Sequence, residues 1–449
     1  MHYLALIPFC VLFASFALFR IELVYSAFLA LLSCVAITGG ASPVALSNTL
    51  VFLFEIGLII FGAFFFIEVA ERKGVIHSLA DLVKEVTPNR MVQSILVCFP
   101  LTLIVEGSSG FGTPLLIIAP LLRALGLPLI LCAILPMMNM VNGIPFGALG
   151  TPIRLGYGNV ENLIPVANQT IRYLSPLFWI TPLISYVLLK KKIHPHDSEK
   201  KPIWILWTIL LSTTFAVSAL FISEKSAEFP VLAAGLITFL IGIFSAHYFE
   251  FKKIIYPHHR KGLLIYTLLL TTLWLGKQIW MDQKIPGTPL RIFNPGWIFI
   301  LFGFALSKSS DFIKPAAIRS RKTLSILFCM TFIVQQLKIS GAMAELLANI
   351  PSWLTHQGTI FSGWLGSTMI GTSTVTILFF SPLVEPSIYG VLAAGSALGV
   401  PLAFQSIMGV KSILKDDISE REILKYILPI SVGFMALLLL INVIKPSLG

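Results

Sequence analysis

Apolar runs close to the roughly 20 residues that a helix needs to cross a bilayer recur along almost the whole chain, separated by short polar or basic stretches. Runs at 4–19 and 21–38, split by Arg20, and at 48–70 open the sequence. The segment 71–90 is amphipathic and charged, and 91–122 is apolar again. Another run starts near Gly126 and continues to Pro152, and 154–172 is polar. Spans resume at 175–189, 203–222, 229–248, 262–281, 296–306 and 323–337. A region at 360–383 is interrupted, and 388–408 and 426–443 close the chain. The pattern predicts an all-α polytopic membrane protein of about twelve transmembrane helices.

Interruptions inside the apolar runs carry most of the remaining information. The stretch EGSSGFGTP begins at Glu106 and FGALGTP begins at Phe146, with Asn139 and Asn142 between them. Glycine admits positive φ and close backbone approach, and proline cannot donate to a helix ladder, so each Gly-Thr-Pro ends one local geometry and starts another. At membrane depth, non-helical backbone persists only where protein or a water-filled cavity receives it. Two such breaks bearing polar side chains predict a lined site.

Composition agrees with a membrane solvent. The chain has 449 residues, of which 56% are hydrophobic and 12% charged, against roughly 25% charged in soluble domains. Its mean hydropathy is +0.88. The formal charge of +11 comes from 32 Lys and Arg against 21 acids. Most of the basic residues cluster between apolar runs, a distribution that reads as cytoplasmic loops and not as a nucleic-acid surface. The clusters at 190–201, 252–261 and 308–322 are expected to share one side. The five cysteines lie singly in apolar segments, without a metal or disulfide spacing. The first run lacks a basic lead and a small-residue cleavage site, so it reads as a span and not as a signal peptide.

An internal repeat organises the halves. LIIFGAFFFIEVAERKGVIHSLADLV from Leu58 resembles ILFCMTFIVQQLKISGAMAELLANI from Ile326, with Gly74 matching Gly341. In both copies an amphipathic stretch, an apolar stretch and then a Gly/Ser/Thr break follow: GSSGFGTP from Gly107 and GTSTVT from Gly371. The distribution of basic residues places the copies in opposite orientations. This predicts one membrane transporter domain over 1–449, with two inverted repeats at approximately 1–189 and 262–445 and connecting spans and basic loops at 190–261. Each repeat should contain a broken helix or re-entrant hairpin around a midplane site.

Candidate chemistry concentrates at the breaks. Glu106 stands at the entrance to a glycine-rich break, where a charge at membrane depth costs a few kcal/mol. Protonation removes that cost, which suits a proton carrier; a cap on freed amides is the structural reading. Glu55 lies deep in the third span as a second proton-relay candidate, while Glu68 reads as interfacial. A carboxylate ligand needs no lysine where helix N-termini present free N–H groups. Candidate ligands are Ser108, Ser109, Gly110, Gly112, Thr113, Gly147 and Gly150 in the first half. In the second they are Gly371, Thr372, Ser373, Thr374, Thr376 and Ser406. Asn139, Asn142 and Gln405 add further donors and acceptors. Arg154 either draws anions to a vestibule or marks the interface. The histidines lack partners for a metal site, and the absence of GxxxxGK[ST] argues against direct ATP drive.

These motifs resemble those of the L-lactate permease family. Agreement lies at Glu106, Gly107 and Gly110 through Pro114, and at Phe146 through Gly150. In the second half the family pattern is matched only at Gly371, Thr372, Thr374 and Thr376, with Ile377 where the family has asparagine. Gln405, Ser406 and Ile407 match a further motif, with Phe404 in place of a proline. The resemblance implies proton-coupled uptake of lactate or a related 2-hydroxy monocarboxylate, in a fold of inverted repeats with hairpins; the altered second motif bears on which substrate.

The expected function is therefore secondary active transport of a small organic anion across the bacterial inner membrane, with no cofactor. Expected partners are the anion, protons and the bilayer, with a homodimer open and nucleic acid excluded. Sodium coupling and a passive anion channel are the alternatives. An intramembrane enzyme would need a nucleophile or metal beside Glu106, and no such pairing is visible.

Overall fold

The computed structural model describes all residues except 1, 20, 111, 158–161, 193–202, 250–260, 281–293, 343–344, 346–357, 415–417 and 445–449. Every described regular element is helical. After the N-terminal α1 (Ile7–Phe13) come α2 (Leu23–Ile37), α3 (Pro43–Arg72) and the amphipathic α4 (Val75–Val86). Gly74, in left-handed conformation at φ 71°, turns α3 into α4. The next span, α5 (Arg90–Ser109), carries a π turn at Val97–Leu101, where Pro100 interrupts the ladder. A break leads into α6 (Thr113–Ala124). Then α7 (Leu129–Met140) and α8 (Gly147–Gly156) form a second broken unit, bent by 67°.

Long spans α9 (Ile164–Lys192), α10 (Ile203–Ser223), α11 (Pro230–Phe249) and α12 (Lys261–Trp280) follow. The second half runs through α13 (Pro295–Ser307), α14 (Ile313–Ile339) and α15 (Gly358–Ile370). A break gives α16 (Ser373–Phe380), and α17 (Tyr389–Gly399) is broken from α18 (Phe404–Ile413). The span α19 (Glu420–Ile444) is the last described helix. Six described helices are long and apolar enough to cross a membrane, or seven with the bent pair; shorter apolar helices make up the rest.

Three sequence boundaries move. The segment 154–172 reads as polar, yet α9 starts at Ile164, because its polar residues are sheltered by protein. Gln169 donates to the Ser387 carbonyl at 2.7 Å and accepts from the Gly390 amide at 2.7 Å. Likewise α14 begins ten residues before the expected 323, carrying basic residues on its first turns. The run 388–408 was expected to be continuous but breaks at Val400–Leu402, where Pro401 enters a short 3-10 turn.

The two halves meet reciprocally. Helix α3 packs on α13 while its counterpart α14 packs on α2; α8 packs on α16 and α18 on α6; α9 packs on α17 and α19 on α7. Counterparts α3 and α14 lie against each other and run antiparallel. At one end the Ser42 amide donates to Gln336 Oε1 at 2.9 Å, and Gln336 Nε2 donates to the Gly40 carbonyl at 2.8 Å. At the other, Glu68 binds Arg72 at 2.6 Å and Arg319 at 3.1 Å. The start of each helix meets the end of the other, so the repeats are inverted.

Lipid is as apolar as a leucine side chain, so helices associate here through close packing and hydrogen bonds. Small residues make that approach available. A Cβ on Gly62 would lie 2.5 Å from the Gly296 carbonyl, and one on Gly296 would land on the Leu58 carbonyl. Gly296→Ala must therefore part α3 from α13, at a cost of about 1–3 kcal/mol. The expected result is a lower melting temperature for the detergent-purified protein. Gly433→Ala, in open space on α19, is the comparison and should not lower it. Equal melting of both variants would show that α3 and α13 do not touch through these glycines.

Candidate functional site

Where the first break crosses the second, glycines make the crossing possible. The last turn of α5 closes through the Gly110 amide, which donates to the Glu106 carbonyl at 2.8 Å. Gly110 then takes φ 56°, ψ −155°, a region essentially restricted to glycine. Helix α6 starts from Gly112 at φ 79°. A Cβ on Gly110 would lie 2.9 Å from the Ala148 nitrogen, and one on Gly147 would lie 2.6 Å from Glu106 Oε1. On Gly143 it would lie 3.2 Å from Glu106 Cγ. The Glu106 side chain, 3% exposed, is thus enclosed by backbone of the second break. Its Oε2 has no hydrogen-bond partner among the described residues.

The second break contains three consecutive left-handed residues, Ala148, Leu149 and Gly150, at φ 46°, 58° and 68°. For Ala148 and Leu149 this costs roughly 1–2 kcal/mol each. Packing holds them there: a Cβ on Gly150 would lie 2.7 Å from the Ala227 carbonyl. In the same loop the buried Glu228 accepts from the Ser226 hydroxyl at 2.8 Å.

In the second half, Gly371 at φ 88° ends α15, and Thr372 caps α16 by accepting from the Val375 amide at 3.3 Å. The fourth break is closed by Ser406, whose hydroxyl donates to the Val400 carbonyl at 2.7 Å. A cavity of about 220 Å³ lies between the halves. Glu106, Gly112 and Gly147 line it from the first half, and Gly371 to Val375, Ser406 and Gly409 from the second. Leu115, Met140, Ile326 and Leu327 provide an apolar wall. The starts of α6, α8, α16 and α18 therefore face one space. Among the described residues Glu106 is the only ionisable one in the lining, and no Lys, Arg or His is among them.

Among the sequence candidates, Glu106, Gly112, Gly147, Gly371, Thr372, Ser373, Thr374 and Ser406 line the cavity. Others are spent on the breaks themselves. Ser108 and Ser109 donate to the Val105 carbonyl at 3.0 and 2.8 Å, Thr113 to Gly110 at 2.8 Å and Thr376 to Thr372 at 2.8 Å. Gly110 and Gly150 serve close backbone approach. Asn139 and Asn142 do not line the cavity, since their amides are directed at α9, to Ser185 at 2.9 Å and Thr181 at 2.6 Å. Arg154 lies in the last turn of α8, outside the lining, where a cation complements the helix dipole. Glu68 is ion-paired at the end of α3. The Glu55 and Gln405 side chains lie outside the described residues.

Ile377, which stands where the family motif has asparagine, is also outside the lining. A Cβ on Gly156 would collide with its side chain, so Ile377 interlocks α8 with α16. Sequence reading missed Thr323, on α14, and Gly409 as lining residues, and Glu228 over the second break. Only Glu228, an acid in a short loop between apolar runs, left a visible signal.

Comparison with known proteins places these features in a family. A family model described as L-lactate permease matches residues 2–265. A putative L-lactate permease of Haemophilus influenzae is 25% identical, over 82% of this chain and 82% of that protein. The L-lactate permease of Halalkalibacterium halodurans is 25% identical, over 96% of this chain and 94% of its own. The glycolate permease GlcA of Escherichia coli is 26% identical over 41% of this chain and 32% of its own. Among solved structures, the Alcanivorax borkumensis YdaH transporter covers 90% of this chain and 87% of its own at 14% identity and a TM-score of 0.46.

Thr372 and Thr374 separate structure from lining. Loss of the cap in Thr372→Ala should cost about 1 kcal/mol and lower the melting temperature. Thr374, whose hydroxyl no bond to a described residue ties down, should tolerate valine to within about 0.5 kcal/mol. Thermal unfolding of the two purified variants checks this, and equal destabilisation would count against the assignment.

Proposed function

The chain belongs to the L-lactate permease family of membrane transporters, and on that premise we propose that it takes up a small 2-hydroxy monocarboxylate together with a proton. The proposed setting is the bacterial inner membrane, and the substrate class is that of lactate and glycolate, the anions for which its relatives are named.

One observation carries the coupling: a cavity equipped for an anion has a carboxylic acid as the sole ionisable group among its described lining residues. The positive ends of the half-helices α6, α16 and α18, whose starts line the cavity, favour negative charge there without a cationic side chain. The Thr374 hydroxyl adds a donor, and the apolar wall accepts a methyl or methylene. An ionised Glu106 would oppose this. Two unit negative charges about 4 Å apart at an effective dielectric near 20 repel by about 4 kcal/mol, roughly a thousandfold in occupancy. Anion binding and Glu106 protonation therefore favour each other. Loading adds one anion and one proton, so it adds no net charge to the carrier. That neutrality lets an anion enter against a negative-inside potential, because the proton cancels its charge.

Glu106→Gln imitates the protonated acid in shape and charge. It should keep counterflow of labelled lactate at equal internal and external pH, since exchange needs no proton release. It should lose accumulation driven by an inward proton gradient. Wild-type-like accumulation by this variant would transfer the coupling role to another acid, Glu55 first. Failure of the wild-type protein to respond to a proton gradient in sodium-free medium would instead overturn proton coupling itself.

A further inference from the structure

Three buried acceptors between α5, α7 and α9 lack donors among the described residues. Asn139 donates through Nδ2 to the Leu135 carbonyl at 2.8 Å and to Ser185 Oγ at 2.9 Å. Asn142 donates through Nδ2 to Thr181 Oγ1 at 2.6 Å. Both hydroxyls have committed their own protons, Thr181 to the Leu177 carbonyl at 3.1 Å and Ser185 to the Thr181 carbonyl at 2.8 Å. The Leu135 carbonyl can only accept, which fixes the Asn139 amide, and Asn142 is assigned with Nδ2 toward Thr181 because that hydroxyl donates to the Leu177 carbonyl. Asn139 Oδ1 and Asn142 Oδ1 are left buried and without a partner among the described residues, as is Glu106 Oε2. Asn142 immediately precedes Gly143, whose missing side chain gives room to Glu106 Cγ.

Acceptors cannot satisfy one another, and a buried polar atom without a partner costs about 1–3 kcal/mol. Water supplies two donors per molecule and is the usual occupant of such polar interior sites. We propose that Asn142 and Asn139 hold a short file of waters, and that this file is the route by which Glu106 exchanges its proton with the side where α9 ends. The inference rests on proton coupling at Glu106. Its direction follows from α9: Thr181 and Ser185 are successive turns toward Lys190, Lys191 and Lys192, with Ser185 only about 7 Å along the axis from Lys190. In each transfer the Glu106 O–H bond breaks as the adjacent water gains a proton, and that water passes one of its own protons onward. Glu106 is left as the carboxylate, and the amides orient the waters without changing protonation.

Among the described residues, the surrounding elements place no competing charge in this seam. Cys98 on α5 and Cys132 on α7 donate to the Ile95 and Leu127 carbonyls. With Tyr186 on α9 and Tyr266 on α12 they are groups that stay uncharged near pH 7. Arg123 and Arg154 occupy the last turns of α6 and α8. Glu68 is ion-paired at the end of α3, and Glu228 is bound to Ser226 ahead of α11.

The test uses the full-length protein in proteoliposomes, with lactate and a trapped pH indicator. Asn142→Leu and Asn139→Leu remove the orienting oxygens while Thr181 and Ser185 keep their bonds to carbonyls. The expected result is that lactate-dependent proton entry slows about tenfold while lactate counterflow at equal pH stays within twofold of wild type. The slowed entry should also become more sensitive to pH on the side where α9 ends. Parallel loss of both activities would make the seam structural and overturn the proposal. Unchanged proton entry in both variants would also overturn it, leaving Glu106 coupling intact. If wild-type protein itself carries no proton with lactate, the coupling reading fails before the seam is reached. Should Asn142→Leu not reach the membrane, Asn139→Leu, about one turn farther from Glu106, decides the question alone.

Discussion

Backbone groups freed from a helix inside a membrane must find partners in the protein, and this requirement shapes the whole central region. Each break spends nearby hydroxyls on its own repair. Ser109 and Thr113 contact each other and bind carbonyls on either side of the first break; Thr372 takes up an amide at the start of α16; Ser406 closes onto Val400. A serine or threonine beside a break is therefore first a local solvent for backbone. Only what remains after that repair, with Thr374 and Glu106 on the cavity lining, is open to a ligand. Because four breaks converge, the remainder collects in one cavity.

Inversion supplies the convergence, and a single departure from symmetry supplies the chemistry. The Gly110 amide bonds the Glu106 carbonyl at 2.8 Å, and the Gly371 amide bonds the Ser367 carbonyl at 2.9 Å. These are the same closing turn in the two repeats, so Ser367 is the counterpart of Glu106. Its hydroxyl is spent on the Gly363 carbonyl at 2.9 Å. Two carboxylates facing one small cavity would repel each other and any anion between them. One carboxylate and one serine leave Glu106 as the single titrating group among the described lining residues.

The sequence disclosed whatever glycine and proline punctuate. The breaks near Gly110, Gly147 and Gly371 were legible because those residues cannot prolong a regular ladder there. The break at Val400–Leu402 was not, since Pro401 sits in a largely apolar run and the group that satisfies the Val400 carbonyl, Ser406, comes six residues after Val400. Polar residues misled where protein replaces water: Gln169 and Thr170 made the start of α9 look like a loop, yet they are buried against protein. Asn139 and Asn142 were legible as membrane-depth polar groups but not in their direction. The helix ends between them, so spacing alone does not determine which neighbour each faces.

The left-handed turn at Ala148 and Leu149 shows how such a site retains its shape. Roughly 1–2 kcal/mol of strain at each residue would be released by any shift toward ordinary helix, and that shift would draw the start of α8 away from the cavity. Strain of this kind persists only where the surroundings over-determine the backbone. Here Gly110 abuts the Ala148 nitrogen from one side and the Ala227 carbonyl crowds Gly150 from another. Glu106 lies in the remaining direction, against Gly147. The carboxylate, the strained turn and the first break therefore constrain one another, and a change in the charge or position of Glu106 acts directly on the backbone that lines the cavity.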